Sequence, residues 1–194
     1  MIIQTQSLSL PDFINTKVQI NEDIKTAVEA VCKTEKLKKG HLLLKEGSLA
    51  HRLNYIMHGS VRTFYYHDGK DVTSWIYREG YLTTSWGSFY SRTPSHENME
   101  LVEDSTVCSI LFEDLQKLYA KYPKMQEFGR IMAEEQIVFL DKFYKGFFFM
   151  TAKEKYNLLL SIFPDVTQRV NLGHIASFLG ISQETLSRIR KKKY

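Results

Sequence analysis

Asn171-Leu-Gly-His-Ile-Ala-Ser-Phe-Leu-Gly-Ile-Ser-Gln-Glu-Thr-Leu-Ser-Arg-Ile-Arg190 has the layout of two short helices joined by a tight turn. Ala176 is small where the helices must cross closely. Gly180 stands where the first helix must end on a left-handed residue. Ile181 plugs the turn, and Ser182 offers an oxygen to the free N–H groups that open the second helix. Ile175, Leu179, Leu186 and Ile189 make a shared apolar face. The opposite face of the second helix carries Gln183, Glu184, Ser187 and Arg188, side chains that suit base edges in a DNA major groove. Arg190 and Lys191–Lys193 follow as charge suited to phosphates. A generic helical hairpin shares parts of this pattern. The small, glycine, capping, apolar and basic positions at these joint offsets mark a helix-turn-helix over about 171–190.

The charge balance points the same way. The 194 residues hold 26 Lys+Arg and 22 Asp+Glu, a formal net charge of +4. Five bases (Arg188, Arg190, Lys191, Lys192 and Lys193) stand against one acid (Glu184) from Gln183 to Tyr194, so the excess is concentrated there and the rest is balanced. Hydrophobic residues at 43% and charged residues at 25% are ordinary globular values and argue against disorder. No stretch reaches the roughly 20 apolar residues of a membrane span. The start, MIIQTQSLSLPDF, has neither a basic segment nor an apolar block, so a cytoplasmic protein without a signal peptide is expected. Cys32 and Cys108 have no CxxC companion and read as two buried thiols in a reducing compartment rather than as metal ligands.

Working back from the helix-turn-helix, three textures appear. Residues from about 8 to 36 read as helical, with Ile20, Ile24, Ala27, Val28 and Val31 at helical spacing and Asn21 as a cap. From 37 to 112, glycines at 40, 47, 59, 69 and 80 separate short runs: His41–Leu44, Leu53–Met57, Val61–Tyr66 and Val72–Tyr77. Thr106–Phe112 reads as a last strand. His67-Asp-Gly-Lys70 is the strongest hairpin signal, and many short strands call for closure into a roll. From Glu113 the chain is helical. Met125, Phe128, Met132, Gln136, Phe139, Phe143 and Phe147 form a seam along about 34 Å of helix at 1.5 Å per residue. It has two readings: packing on its own roll, or a coiled-coil-like dimer seam with Gln136 setting register. The length favours the second. Gly146 with Phe147–Met150 marks a hinge, and Thr151-Ala-Lys-Glu154 a capping box. The expected organisation is α+β: a roll over 1–120, a long dimerisation helix over 121–150, and a helix-turn-helix domain over 151–194.

From about residue 10 to its end the chain resembles the Crp/Fnr superfamily of bacterial transcription regulators. Those proteins join a cyclic-nucleotide-binding-type, jelly-roll-like β-roll to a dimerisation helix and a winged helix-turn-helix. Gly40, Lys45-Glu-Gly47, His58-Gly59, Asp68-Gly69 and Glu79-Gly80 match the roll glycines. Gly180-Ile-Ser-Gln-Glu-Thr-Leu-Ser-Arg-Ile189 is similar to the family's G-x-S-x-E-T-V-x-R-x recognition segment. The resemblance implies base reading by Gln183, Glu184 and Arg188. The first of these is often arginine in the family, so glutamine implies a different operator preference. It also implies a wing after the recognition helix; only Arg190–Tyr194 stand there, and the lysines are read as a partial replacement. This ending, with Phe163-Pro-Asp-Val-Thr-Gln-Arg-Val170, looks like a short Bacteroidetes-type branch. The expected DNA contacts are Ser182, Gln183, Glu184, Ser187, Arg188, Arg190, Lys191 and Lys192. The expected partners are double-stranded DNA, a second copy through the 124–148 helix and, as the family implies, RNA polymerase.

The ligand cassette departs from the family. Cyclic-nucleotide binders carry F-G-E-L and then R-S/T-A, whose glutamate holds the ribose and whose arginine neutralises the phosphate. Ser85 and Ser95 stand at those positions here, so cAMP is not expected. Arg78 and Arg92 are the nearest candidate compensations. Arg78, Ser85, Trp86, Ser95 and His96 mark a candidate pocket for some other small-molecule effector. No cofactor and no metal are expected: four cysteines for an iron–sulfur centre are lacking, and His41, His51, His58, His67 and His96 read as surface residues. A cupin-like enzyme would need an H-x-H pair, and none occurs; nor does a nucleophile or phosphate-loop motif. The competing reading is an effector sensor or scaffold with weakened DNA binding.

Overall fold

The computed structural model of the protein describes residues 8–191. Two helices open it, α1 (Leu10–Lys17) and α2 (Glu22–Val31). Ser9 caps the first by accepting from the Asp12 N–H, and Asn21 caps the second by accepting from the Ile24 N–H. The expected helical texture ends sooner than its spacing suggested. Residues Lys33–Leu37 form strand β1, whose pairing partner lies about seventy positions away, from Lys33 opposite Ser109 to Leu37 opposite Ser105. Long-range pairing overrides local periodicity there.

The roll continues with β2 (Leu42–Leu44), β3 (Arg52–His58), β4 (Val61–His67), β5 (Lys70–Tyr77) and β6 (Leu82–Thr83). A short helix α3 (Trp86–Ser91) precedes β7 (Asn98–Leu101) and β8 (Ser105–Leu111). The strands make two antiparallel sheets, ordered β1-β8-β3-β6 and β2-β7-β4-β5. At the β4–β5 hairpin His67 pairs with Lys70. The two residues between them, Asp68 at φ 50° and Gly69 at φ 72°, are both left-handed, the geometry of a turn that matches strand twist. Phe112, read as strand, instead opens helix α4 (Phe112–Lys121).

Tyr55, Ile56, Val61, Phe89 and Leu101 fill the core together with Ile14 and Val28 from α1 and α2 and Leu115 from α4. Each such large side chain contributes about 1.5–3 kcal/mol of burial.

Helix α5 spans Pro123–Phe147, followed by α6 (Ala152–Ile162), α7 (Val166–Arg169), α8 (Leu172–Leu179) and α9 (Gln183–Lys191). The seam read along α5 is used within the chain, which corrects the expectation of a dimer seam at those residues. Met125 and Phe128 are buried in the roll core. Phe139 and Phe143 pack edge-on against Trp75 of β5, with ring centres 5.5 and 4.9 Å away, and Phe147 stacks on Phe143 at 4.5 Å. Gln136 is exposed and sets no register inside a seam. Other apolar side chains are left in solvent, Val138 and Phe149 among them; four of these are Ile137 at 66% exposed, Leu140 at 37%, Tyr144 at 57% and Phe148 at 71%. Steps of 3, 4 and 4 place them on one face running off the end of the helix.

Candidate nucleic-acid interface and effector pocket

The helix-turn-helix forms as its residues dictate. Asn171 opens α8 by accepting from the Gly173 N–H at 2.7 Å. Gly180 closes it at φ 67°, ψ 35°, and the Ile181 N–H reaches back to the Ala176 carbonyl at 3.0 Å, the six-to-one closure that a left-handed C′ residue permits. Ser182 then accepts from the Thr185 N–H at 3.2 Å, capping α9. Ile175, Leu179 and Leu186 are fully buried with Ala176, Tyr156, Leu159 and Phe163. This packing fixes which face of α9 turns outward.

Ser182, Gln183, Glu184, Ser187, Arg188 and Lys191 are exposed and Arg190 is half-buried; Lys192 lies outside the described residues. The Gln183 amide lies over Gly173, where an added Cβ would stand 2.7 Å from its Nε2. The Arg188 guanidinium donates to the Thr185 hydroxyl at 3.2 Å. A side-chain hydrogen bond with Ser182 holds the Glu184 carboxyl below the usual carboxylate range. Beside the N-terminal turn of α9 it stays a hydrogen-bond acceptor.

Reading the sequence missed how this unit meets the roll. Ile76 and Val102 of the roll belong to the same apolar cluster as the helix-turn-helix core. Phe178 of α8 packs edge-on against Trp75 at 5.2 Å. The Ser177 hydroxyl accepts from the Thr73 N–H at 3.0 Å. Arg169, at the end of α7, is the polar clamp: it donates to Glu103 at 2.7 Å, to Glu79, and to Asp165 at 3.3 Å. Burial works against its charge, and the bonds to Glu79 and Glu103 more than offset that, so its ionisation is pushed still higher. Burial would raise the Glu79 carboxyl, yet Arg169 and backbone N–H groups hold it low. Arg169 lay in the lead-in segment without a motif to mark it. Its role exists only once the roll brings Glu79 and Glu103 together.

The candidate effector pocket divides. Ser85 and Ser95 do meet, the Ser95 hydroxyl donating to the Ser85 oxygen at 3.0 Å. Trp86 lies close by, with its indole Nε1 buried and unpartnered. His96 is exposed, and Arg78 lines an apolar cavity with Trp75, Phe143, Phe147 and Phe178. His96 stands in a bend before β7, outside any strand, while its neighbour Ser95 is buried. Arg92 is committed elsewhere: it donates to the Ala50 carbonyl at 3.0 Å and lies over Phe112 at 4.2 Å. Neither arginine hydrogen-bonds to the serine cluster among the described residues.

The group that does is an acid. Glu97 accepts from the Ser74 hydroxyl at 3.3 Å, Ser74 in turn bonds Thr63 at 2.8 Å, and the hydroxyls of Ser85, Ser74 and Thr63 draw the carboxyl down. Burial pushes the Glu97 carboxyl up against those bonds, and no lysine or arginine pairs with it among the described residues. A phosphate entering this cluster would meet a half-buried acid and no guanidinium. Hydroxyl-rich neighbours could have flagged Glu97, but its alignment beside Ser95 offered no motif.

Residues 34–122 match the cyclic nucleotide-binding domain. A comparison with curated proteins finds no match. Among solved structures, the c-di-GMP responsive global regulator CLP of Xanthomonas campestris superposes with a TM-score of 0.65 at 15% identity, covering 89% of this chain and 91% of that one. A putative transcriptional regulator of the Crp/Fnr family from Eubacterium rectale gives 0.69 at 14% identity, covering 93% and 87%. Catabolite activator protein of Thermus thermophilus gives 0.54 at 18%, covering 93% and 85%. The chain has the Crp/Fnr fold, built on a cyclic nucleotide-binding domain. Within that fold the expected α+β architecture stands, and the Crp/Fnr arrangement places α8 and α9 as its helix-turn-helix. No helix among the described residues is long and apolar enough to cross a membrane.

Proposed function

We propose that the protein is a sequence-specific DNA-binding transcription regulator that acts as a homodimer on an inverted repeat. One observation carries the reading: α9 turns Gln183, Glu184, Ser187 and Arg188 to solvent while Leu186 beneath them is fully buried. A helix so placed sets base-reading side chains at a major groove, and Arg190 with the lysines beyond it meets phosphates. The chain divides into a sensor roll (1–120), a dimerisation helix (121–150) and a DNA-binding domain (151–194). The second copy docks on the face of α5 that carries Ile137, Leu140, Tyr144 and Phe148. The effector is not cAMP, because Ser85, Ser95 and the acid Glu97 give a phosphate no charge partner. The protein works in the cytoplasm, where its DNA is, and RNA polymerase is its partner at promoters.

In-vitro selection from random duplex DNA tests this. The regulator should enrich an inverted repeat with half-sites about one helical turn, roughly 34–36 Å, apart. Binding that stays sequence-blind through successive rounds would instead favour the sensor or scaffold reading.

A further inference from the structure

The two cysteines, 76 positions apart in sequence, meet in the roll. Cys32 follows α2 in an extended conformation, φ −80° and ψ 133°, and Thr34 two residues later pairs with Cys108 of β8. Residues two apart on a strand share a face, so Cys32 and Cys108 are diagonal neighbours on one face of the sheet, near enough that each thiol shifts the other's ionisation. Both are free thiols, Cys108 buried and Cys32 half-buried. Cys108 also pairs across β3 with Tyr55. Tyr55 stacks on Phe13 of α1 at 5.0 Å, and Phe13 meets Phe128 of α5 edge-on at 6.1 Å. The pair therefore lies two aromatic contacts from the foot of the long helix.

We propose that Cys32 and Cys108 form a dithiol site that reduces a small hydroperoxide and closes to an intrachain disulfide, giving the roll an oxidant as its input. Hydrogen bonds from Cys32 and Thr34 to the Cys108 sulfur hold that thiol down at about 7, against burial. The same contact, with burial, pushes Cys32 up. Cys108 is thus the thiolate of the pair and Cys32 the resolving thiol. The Cys108 sulfur attacks the terminal peroxide oxygen. The O–O bond breaks, a sulfenic acid forms, and the departing alkoxide takes a proton and leaves as alcohol (water, for hydrogen peroxide). The Cys32 sulfur then attacks the sulfenic sulfur. The S–S bond forms, and hydroxide leaves with the Cys32 proton as water. Two thiols supply the two electrons that cleave the peroxide. Closure draws the two sulfurs together to a bond of about 2.05 Å, next to the aromatic path that reaches α5.

The oxidant's role as an input rests on the regulator reading, but the thiol chemistry is measured without DNA, so either can fail alone. The reduced protein is treated with one equivalent of hydrogen peroxide, quenched with N-ethylmaleimide and weighed intact. Both thiols should disappear together with a loss of about 2 Da, two hydrogens, and dithiothreitol should restore two maleimide adducts. Cys32→Ser should instead accumulate a dimedone-trappable sulfenic acid at Cys108. Retention of both maleimide adducts, oxidation of one sulfur alone in the wild type, or disulfides between chains would overturn the proposal. The wild-type result decides even if the variant folds poorly.

Discussion

Arg169 shows how much one side chain can hold. It is 18% exposed and pairs at once with Glu79 and Glu103, joining the helix-turn-helix unit to the roll. Removing it leaves two part-buried carboxylates facing each other. Loss of a fully buried pair costs about 3–5 kcal/mol; with part of the site in water, Arg169→Ala should cost about 1–3 kcal/mol in urea unfolding. The pH dependence has a definite sign. Glu79 is held below its ordinary value, so its contribution is complete above the unfolded value of about 4.3 and is lost as pH falls through the lower folded value. Arg169→Ala should flatten that acid-side fall in stability, read as unfolding midpoints from pH 6 down to about pH 3. An unchanged acid-side slope would show that the clamp carries no charge coupling. Single residues were legible in the sequence where their chemistry is local. Ser182 and Gly180 act on their own helix ends, as the spacing implied. Arg169 and Glu97 act through partners brought from other elements, and no local spacing records those partners.

At the scale of elements, the strong signals were those with short-range causes. The Asp68-Gly69 turn, the Asn21 cap and the Thr151–Glu154 capping box all form. The weak ones depended on distant pairing. β1 carries charged residues and exists because β8 pairs with it, and β6 is two residues long. Helix α5 illustrates a subtler limit. Its periodicity revealed one apolar stripe, but Trp75 and Phe178 cover the far end of that stripe within the same chain. The second stripe, through Ile137, Leu140, Tyr144 and Phe148, is left exposed, and it is the face proposed for the second copy. Its exposed aromatic and aliphatic area is more than scattered surface residues explain. Ile137→Glu with Leu140→Glu should therefore convert a dimer to a monomer in analytical ultracentrifugation while circular dichroism stays unchanged. A dimer that survives both charges would move the interface elsewhere.

Across the whole molecule, the charge excess of +4 sits at and beyond α9. A dimer then carries two basic ends, while the roll and long helix between them stay balanced. In the proposed regulator, phosphate contact by those ends should make affinity fall steeply with salt, and the outward face of α9 should supply sequence choice. The roll is tied to the helix-turn-helix unit through Trp75, Ile76, Thr73 and the Arg169 clamp. Any change inside the roll therefore reaches α8 by direct contact as well as along α5. The central claim is that Arg188 reads a base rather than a phosphate. Its most direct test is fluorescence anisotropy with wild type and Arg188→Ala on a duplex enriched by selection, and on that duplex with one base pair changed in each half-site. The wild type should prefer the enriched duplex, and Arg188→Ala should lose about 1–3 kcal/mol per half-site together with the preference at that base pair. Full discrimination retained by Arg188→Ala would contradict the assignment of α9 as the reading helix.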